Sequence, residues 1–139
     1  MPGLVIDASI VLAVMLPDEI DEYANIAIDA VAQGGAHAPI HWPLEIANGL
    51  LMAERRKRIT TDIRRKSLED TRALLVEIDG QTGEAVWTVA SDLAAKYKLS
   101  IYDAAYLELA RRLSLPLATL DDALRRAAPS EGVVIFGKA

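Results

Sequence analysis

Four acidic residues interrupt apolar surroundings in this 139-residue chain: Asp7, Glu45, Asp103 and Asp121. Asp7 follows Leu4-Val5-Ile6 and precedes Ala8-Ser9. Glu45 stands in Pro43-Leu44-Glu45-Ile46-Ala47-Asn48. Asp103 lies in Ser100-Ile101-Tyr102-Asp103-Ala104-Ala105, and Asp121 in Ala118-Thr119-Leu120-Asp121. No lysine or arginine stands within two residues of any of the four. Carboxylates gathered without a cation repel one another and hold their protons more tightly. A divalent ion relieves that repulsion. An all-oxygen donor set, in a chain with no cysteine and two histidines, suits Mg²⁺ or Mn²⁺ better than zinc. Such ions hold phosphate oxygens and activate water, so the chemistry expected is phosphodiester hydrolysis.

That chemistry requires elements that bring the acids together. The unbroken apolar run before Asp7 suits a strand buried on both faces of a parallel sheet. Ligands of open α/β sheets bind just beyond the carboxyl ends of such strands, which is where Asp7 falls. Further strands are expected at 36–38, 74–78, 115–119 and 133–136. Helices are expected at 9–16, 18–33, from Pro43 to the basic run at 55–58, and then at 60–72, 83–98, 102–113 and 121–128. Proline and paired glycines end several of them. This alternation predicts an α/β fold with three layers, α/β/α, around a central, mostly parallel five-stranded sheet. Residues 1–139 are expected to form one domain. Asp7, Glu45 and Asp121 follow strand ends or open the next helices, so a parallel sheet gathers them at one edge. Asp103 depends on the fold to deliver its helix there.

Composition narrows the function classes. Hydrophobic residues make up 52% of the chain, which argues against disorder. No apolar run approaches the ~20 residues that span a bilayer, and the first residues lack the pattern of a signal peptide. The lack of cysteine rules out disulfides and thiol chemistry and fits a cytoplasmic location. A net charge of -5 disfavours nucleic acid as a partner, but the charge is uneven. Residues 54–72 hold eight basic residues against four acids. Within them Arg55, Arg56, Lys57, Arg58, Arg64, Arg65 and Lys66 form a candidate phosphate-binding surface; alone, the same run reads as a solvated helix hairpin with internal ion pairs.

The segments Val5-Ile6-Asp7-Ala8-Ser9, Pro43-Leu44-Glu45-Ile46-Ala47-Asn48, Tyr102-Asp103-Ala104-Ala105-Tyr106 and Thr119-Leu120-Asp121 occur in an order and spacing that resembles the PIN-domain endoribonucleases, most closely the VapC-type toxins. The resemblance covers nearly the whole chain. It implies a PIN-like fold, cleavage of RNA, Mg²⁺ or Mn²⁺, a homodimer, and a VapB-type antitoxin that blocks the site. It assigns the metal-binding acids to Asp7, Glu45, Asp103 and Asp121, and supporting polar roles to Ser9, Asn48 and Thr119. Asp122 adjoins Asp121 and competes with it for the fourth acidic place; the Thr-x-Asp pattern favours Asp121.

Quieter residues are expected to serve the fold. His41 stands four before Glu45, but a third nitrogen or sulfur ligand is missing, so His37 and His41 read as packed or surface histidines. Trp42, Trp87 and the tyrosines read as core or interface; Tyr102 and Tyr106 flank Asp103 and could line the site, but are not counted among its functional residues. Two other functions compete. A receiver-like phosphoacceptor would carry an acid pair after its first strand and a functional lysine late in the chain; Asp7 is single, and no lysine separates Lys98 from Lys138. A non-catalytic RNA- or partner-binding PIN module would not need all four acids.

Overall fold

A computed structural model describes residues 3–137. Strands β1 (Leu4–Ile6), β2 (Ala36–Ala38), β3 (Val76–Ile78) and β4 (Leu117–Ala118) form one parallel sheet in the order β3-β2-β1-β4. Val5 pairs with His37 on one side and with Leu117 on the other. The helices are α1 (Ala8–Met15), α2 (Glu22–Gly34), α3 (Trp42–Arg55), α4 (Thr61–Arg72), α5 (Thr82–Ala85), α6 (Val89–Tyr97), α7 (Ile101–Leu113) and α8 (Asp122–Ala127).

The chain steps from β1 to β2 to β3 in one direction, then jumps back past β1 to β4. Right-handed crossovers running in opposite directions place their helices on opposite faces. Accordingly, α1 packs against α2 and α3, and α3 against α4, while α5, α6 and α8 pack against α7. All three residues of β1 are buried, as a strand covered on both faces must be. The layers are therefore α/β/α, as the residue pattern predicts. The strand order reverses between β1 and β4, and a crevice opens beyond the carboxyl ends at such a point. Gly49 lets α3 press on α1, since a Cβ there would stand 2.6 Å from Leu12 Cδ1.

Two expectations need correction. The sheet has four strands, not five. Residues 133–136 meet β4 through a single bridge, Leu117 with Ile135. Leu117 donates to the Val134 carbonyl and accepts from the Phe136 N–H, both at 2.9 Å. Pro116 has no N–H to offer, Thr119 has already turned toward the next helix, and Gly137 bends away at φ 77°. The pairing thus has room for one residue. The helix expected at 83–98 is also broken, between Ala85 and Val89. Val86, Thr88 and Val89 are β-branched and stiff in a helix. The Ser91 hydroxyl donates to the Val86 carbonyl at 2.7 Å, taking an acceptor the helix would need. Among the described residues, no helix is long and apolar enough to cross a membrane.

Candidate active site

Asp7 leaves β1 in extended conformation and caps α1 with its side chain, accepting from the Ile10 N–H. Its carboxylate is only 4% exposed. The Ser9 hydroxyl donates to Oδ1 at 2.5 Å, and the Thr119 hydroxyl donates to Oδ2. Each hydroxyl also accepts a backbone N–H from the segment after β4: Ser9 from Leu120 and Thr119 from Asp121, both at 3.0 Å. These bonds tie the ends of β1 and β4 together across the switch point. Burial is the largest influence on Asp7 and lifts its pKa from 3.8 to about 6; the Ser9, Thr119 and Ile10 donors oppose it, and the charge of Asp103 adds to it.

Asp121 caps α8, accepting from the Leu124 N–H at 2.8 Å. Asp122, one residue on, is exposed in the first turn of that helix, where its charge meets the positive end of the dipole. Asp103 lies in the first turn of α7, which Ser100 caps. The fold delivers it because α7 packs on β1 and is buried continuously from Ala104 to Ala110. Its small alanines permit that close approach. Burial, then the charges of Asp121 and Glu45, raise the Asp103 pKa. Asp103 thus lies within the electric field of Asp7, Glu45 and Asp121.

Glu45, in the first turn of α3, accepts from the buried Tyr106 hydroxyl at 2.5 Å. Burial and this bond to an acid push the Tyr106 pKa up. His41 Nε2 lies 3.5 Å from the same Glu45 oxygen and 3.1 Å from the Tyr102 carbonyl. The His41 ring meets those of Tyr102 and Tyr106 edge-on, at 5.5 and 5.1 Å. From the sequence, His41 reads as a packed or surface histidine and Tyr106 has no functional role beyond lining the site. The signal that places them at the site is spacing: Tyr106 follows Asp103 by three and His41 precedes Glu45 by four, each on a shared helix face.

Among the described residues, none of the four acids pairs with a lysine or arginine. Arg125 is turned to the Thr119 carbonyl, at 2.7 Å, and over the Tyr23 ring. The donor chemistry fits a hard divalent cation. As the side chains stand, no three acid or histidine groups among the described residues are drawn up closely enough to clasp one ion.

Asn48 is exposed and makes no side-chain hydrogen bond among the described residues. The basic hairpin of α3 and α4 is partly self-neutralised. Arg58 pairs with Asp18 at 2.8 Å, Arg64 with Glu54, and Lys66 with Asp70 at 2.8 Å. Arg55, Arg56, Lys57 and Arg65 are exposed and form no ion pair among the described residues. Ten residues of α3 separate Glu45 from Arg55, about 15 Å of helix.

The family model described as the PIN domain matches residues 4–129. The chain is 31% identical to Ribonuclease VapC3 of Pyrobaculum aerophilum, over 91% of this chain and 95% of the relative. It is 32% identical to Ribonuclease VapC9 of Mycobacterium tuberculosis and to VapC ribonuclease Mb0985 of Mycobacterium bovis, over 85% of each partner in the comparison. The fold is similar to that in the crystal structure of PAE2754 from Pyrobaculum aerophilum, with a TM-score of 0.70, 20% identity, and coverage of 96% of this chain and 90% of the other. A family-model match over residues 4–129 and relatives 31–32% identical over most of their length make this chain a member of the PIN domain family, among its VapC-type members.

Proposed function

We propose that this protein is a metal-dependent endoribonuclease and the toxin of a toxin–antitoxin pair. One observation carries the reading: Asp103 lies in the field of Asp7, Glu45 and Asp121 beside the carboxyl ends of the strands, and none of these acids pairs with a lysine or arginine among the described residues. The ribonuclease names of relatives aligned over most of the chain support RNA as the substrate. Asp7, Asp103 and Asp121 would hold Mg²⁺ or Mn²⁺, with Glu45 completing the cluster. The ion, when bound, polarises a phosphodiester and lowers the pKa of water.

The chain's own residues prepare the site. Ser9 and Thr119 fix both oxygens of Asp7 before any ligand arrives, so that acid loses little freedom on binding. Drawing the other carboxylates inward is left to side-chain rotation at the ends of α3, α7 and α8. The exposed Arg55, Arg56, Lys57 and Arg65 are the groups offered to the RNA backbone. A VapB-type antitoxin and a homodimer belong to the same proposal, on the strength of the family resemblance, as does a single nuclease domain working in the cytoplasm.

The test is RNA cleavage by the purified protein, free of antitoxin. Cutting is expected with Mn²⁺ or Mg²⁺, is stopped by EDTA, and is lost in Asp7→Asn while the circular dichroism spectrum is kept. An Asp7→Asn variant that cuts at the parent's rate overturns the assignment. RNA bound firmly but never cut leaves a non-catalytic binding module.

A further inference from the structure

We infer that Tyr106 and His41 are positioning residues for Glu45, an inference that rests on the metal-dependent reading above. Asp7 and Asp121 cap their own helices, and the Ser100 cap of α7 accepts from the Asp103 backbone N–H. Glu45 has the longest side chain of the four, and its helix begins without a side-chain cap. Its orientation comes from two other elements. From α7, the Tyr106 hydroxyl donates to Glu45 Oε1 at 2.5 Å, and the tyrosine is 1% exposed. From the turn before α3, His41 Nε2 stands 3.5 Å from the same oxygen and 3.1 Å from the Tyr102 carbonyl. A carbonyl can only accept, so Nε2 carries the hydrogen and donates it to the Tyr102 carbonyl, with Glu45 Oε1 beside it at 3.5 Å. The imidazole is held edge-on between the rings of Tyr102 and Tyr106.

The Tyr106 hydroxyl bonds to Oε1, and the His41 ring stands against the same oxygen. Oε2 has no hydrogen-bond donor among the described residues. A carboxylate pinned by one oxygen presents the other in a fixed direction, which is how outer groups orient metal-binding side chains. The same bond links the face of α7 that bears Asp103 to the start of α3, so two acids from separate crossovers keep their spacing.

The test is a double-mutant cycle on the full chain, read by Mn²⁺ affinity in calorimetry and by RNA cleavage. Tyr106→Phe keeps the ring and removes only the donor. It is expected to weaken Mn²⁺ binding about 10-fold and to lower kcat with KM little changed. In a Glu45→Ala background the same substitution is expected to change Mn²⁺ affinity by less than about twofold, because the group it acts through is gone. Equal losses in both backgrounds, or no loss in either, overturn the inference. His41→Phe keeps an aromatic ring between the tyrosines and gives a smaller loss in the same direction, so the cycle survives a folding failure of the first variant. If the parent binds Mn²⁺ but cuts no RNA, the nuclease reading fails while the affinity cycle still decides the positioning role. If the parent binds no Mn²⁺, both fail.

Discussion

At Asp7 a carboxylate sits almost wholly out of water, and its neighbours only partly compensate. Burial raises its pKa to about 6 against the opposing hydroxyls. The native state therefore binds more protons than the unfolded chain between pH about 4 and 6, and stability must fall as pH rises through that window. A shift of about two units corresponds to roughly 3 kcal/mol. In EDTA, Asp7→Asn should be more stable than the parent at pH 7.5, with the gap closing as pH falls below 6. Urea unfolding at several pH values measures it, and an unchanging gap would refute it. Thr119 is fully buried and serves as both donor and acceptor. Thr119→Val removes one donor from Asp7 and strands the Asp121 N–H, for a cost of about 1–3 kcal/mol. The Asp7 titration, followed by carbon NMR, should move further upward.

Between elements, the corresponding joint is Arg112. From α7 it donates to Asp79, just after β3, at 2.8 Å, and to Glu108 one turn back, also at 2.8 Å. Those contacts drive its own pKa up and that of Asp79 down. Glu108 is 5% exposed. Arg112→Leu leaves it charged and unpartnered, and is expected to cost about 3 kcal/mol in urea unfolding. Replacing Glu108 with leucine as well should recover most of that loss. Joints of this kind are what the sequence conceals. Strand β2 and helix α4 match their expected places because turn glycines, prolines and the Thr60 cap mark them within a few residues. Asp7 was legible because an apolar run ends on it. The delivery of Asp103 depends on α7 packing across β1, a contact between residues far apart in the chain that no local period encodes. The fifth strand failed for the complementary reason: residues 133–136 have the right side chains, but β4 supplies only one residue with both backbone groups free. Asn48 shows the limit of counting by three along a helix, since spacing gives a shared face and not a contact.

Over the whole molecule, an acidic protein must present RNA with a local exception to its charge. On the proposed reading Arg55, Arg56, Lys57 and Arg65, exposed and without an ion pair among the described residues, are that exception, whereas Arg58 and Arg64 are engaged with Asp18 and Glu54. Using Asp7→Asn as a non-cutting background, RNA binding should weaken with salt. Replacing the four free cations with alanine should flatten the slope of log K against log salt by about 0.7 for each single-strand phosphate that is no longer neutralised. Arg58→Ala should leave that slope nearly unchanged. An equal flattening by Arg58→Ala would place the RNA elsewhere. The clasp on Asp7 has a consequence in time as well. One of its hydroxyls comes from residue 9 and the other from residue 119, so a nascent polypeptide emerging from the ribosome exposes the first acid more than a hundred residues before its pocket can close.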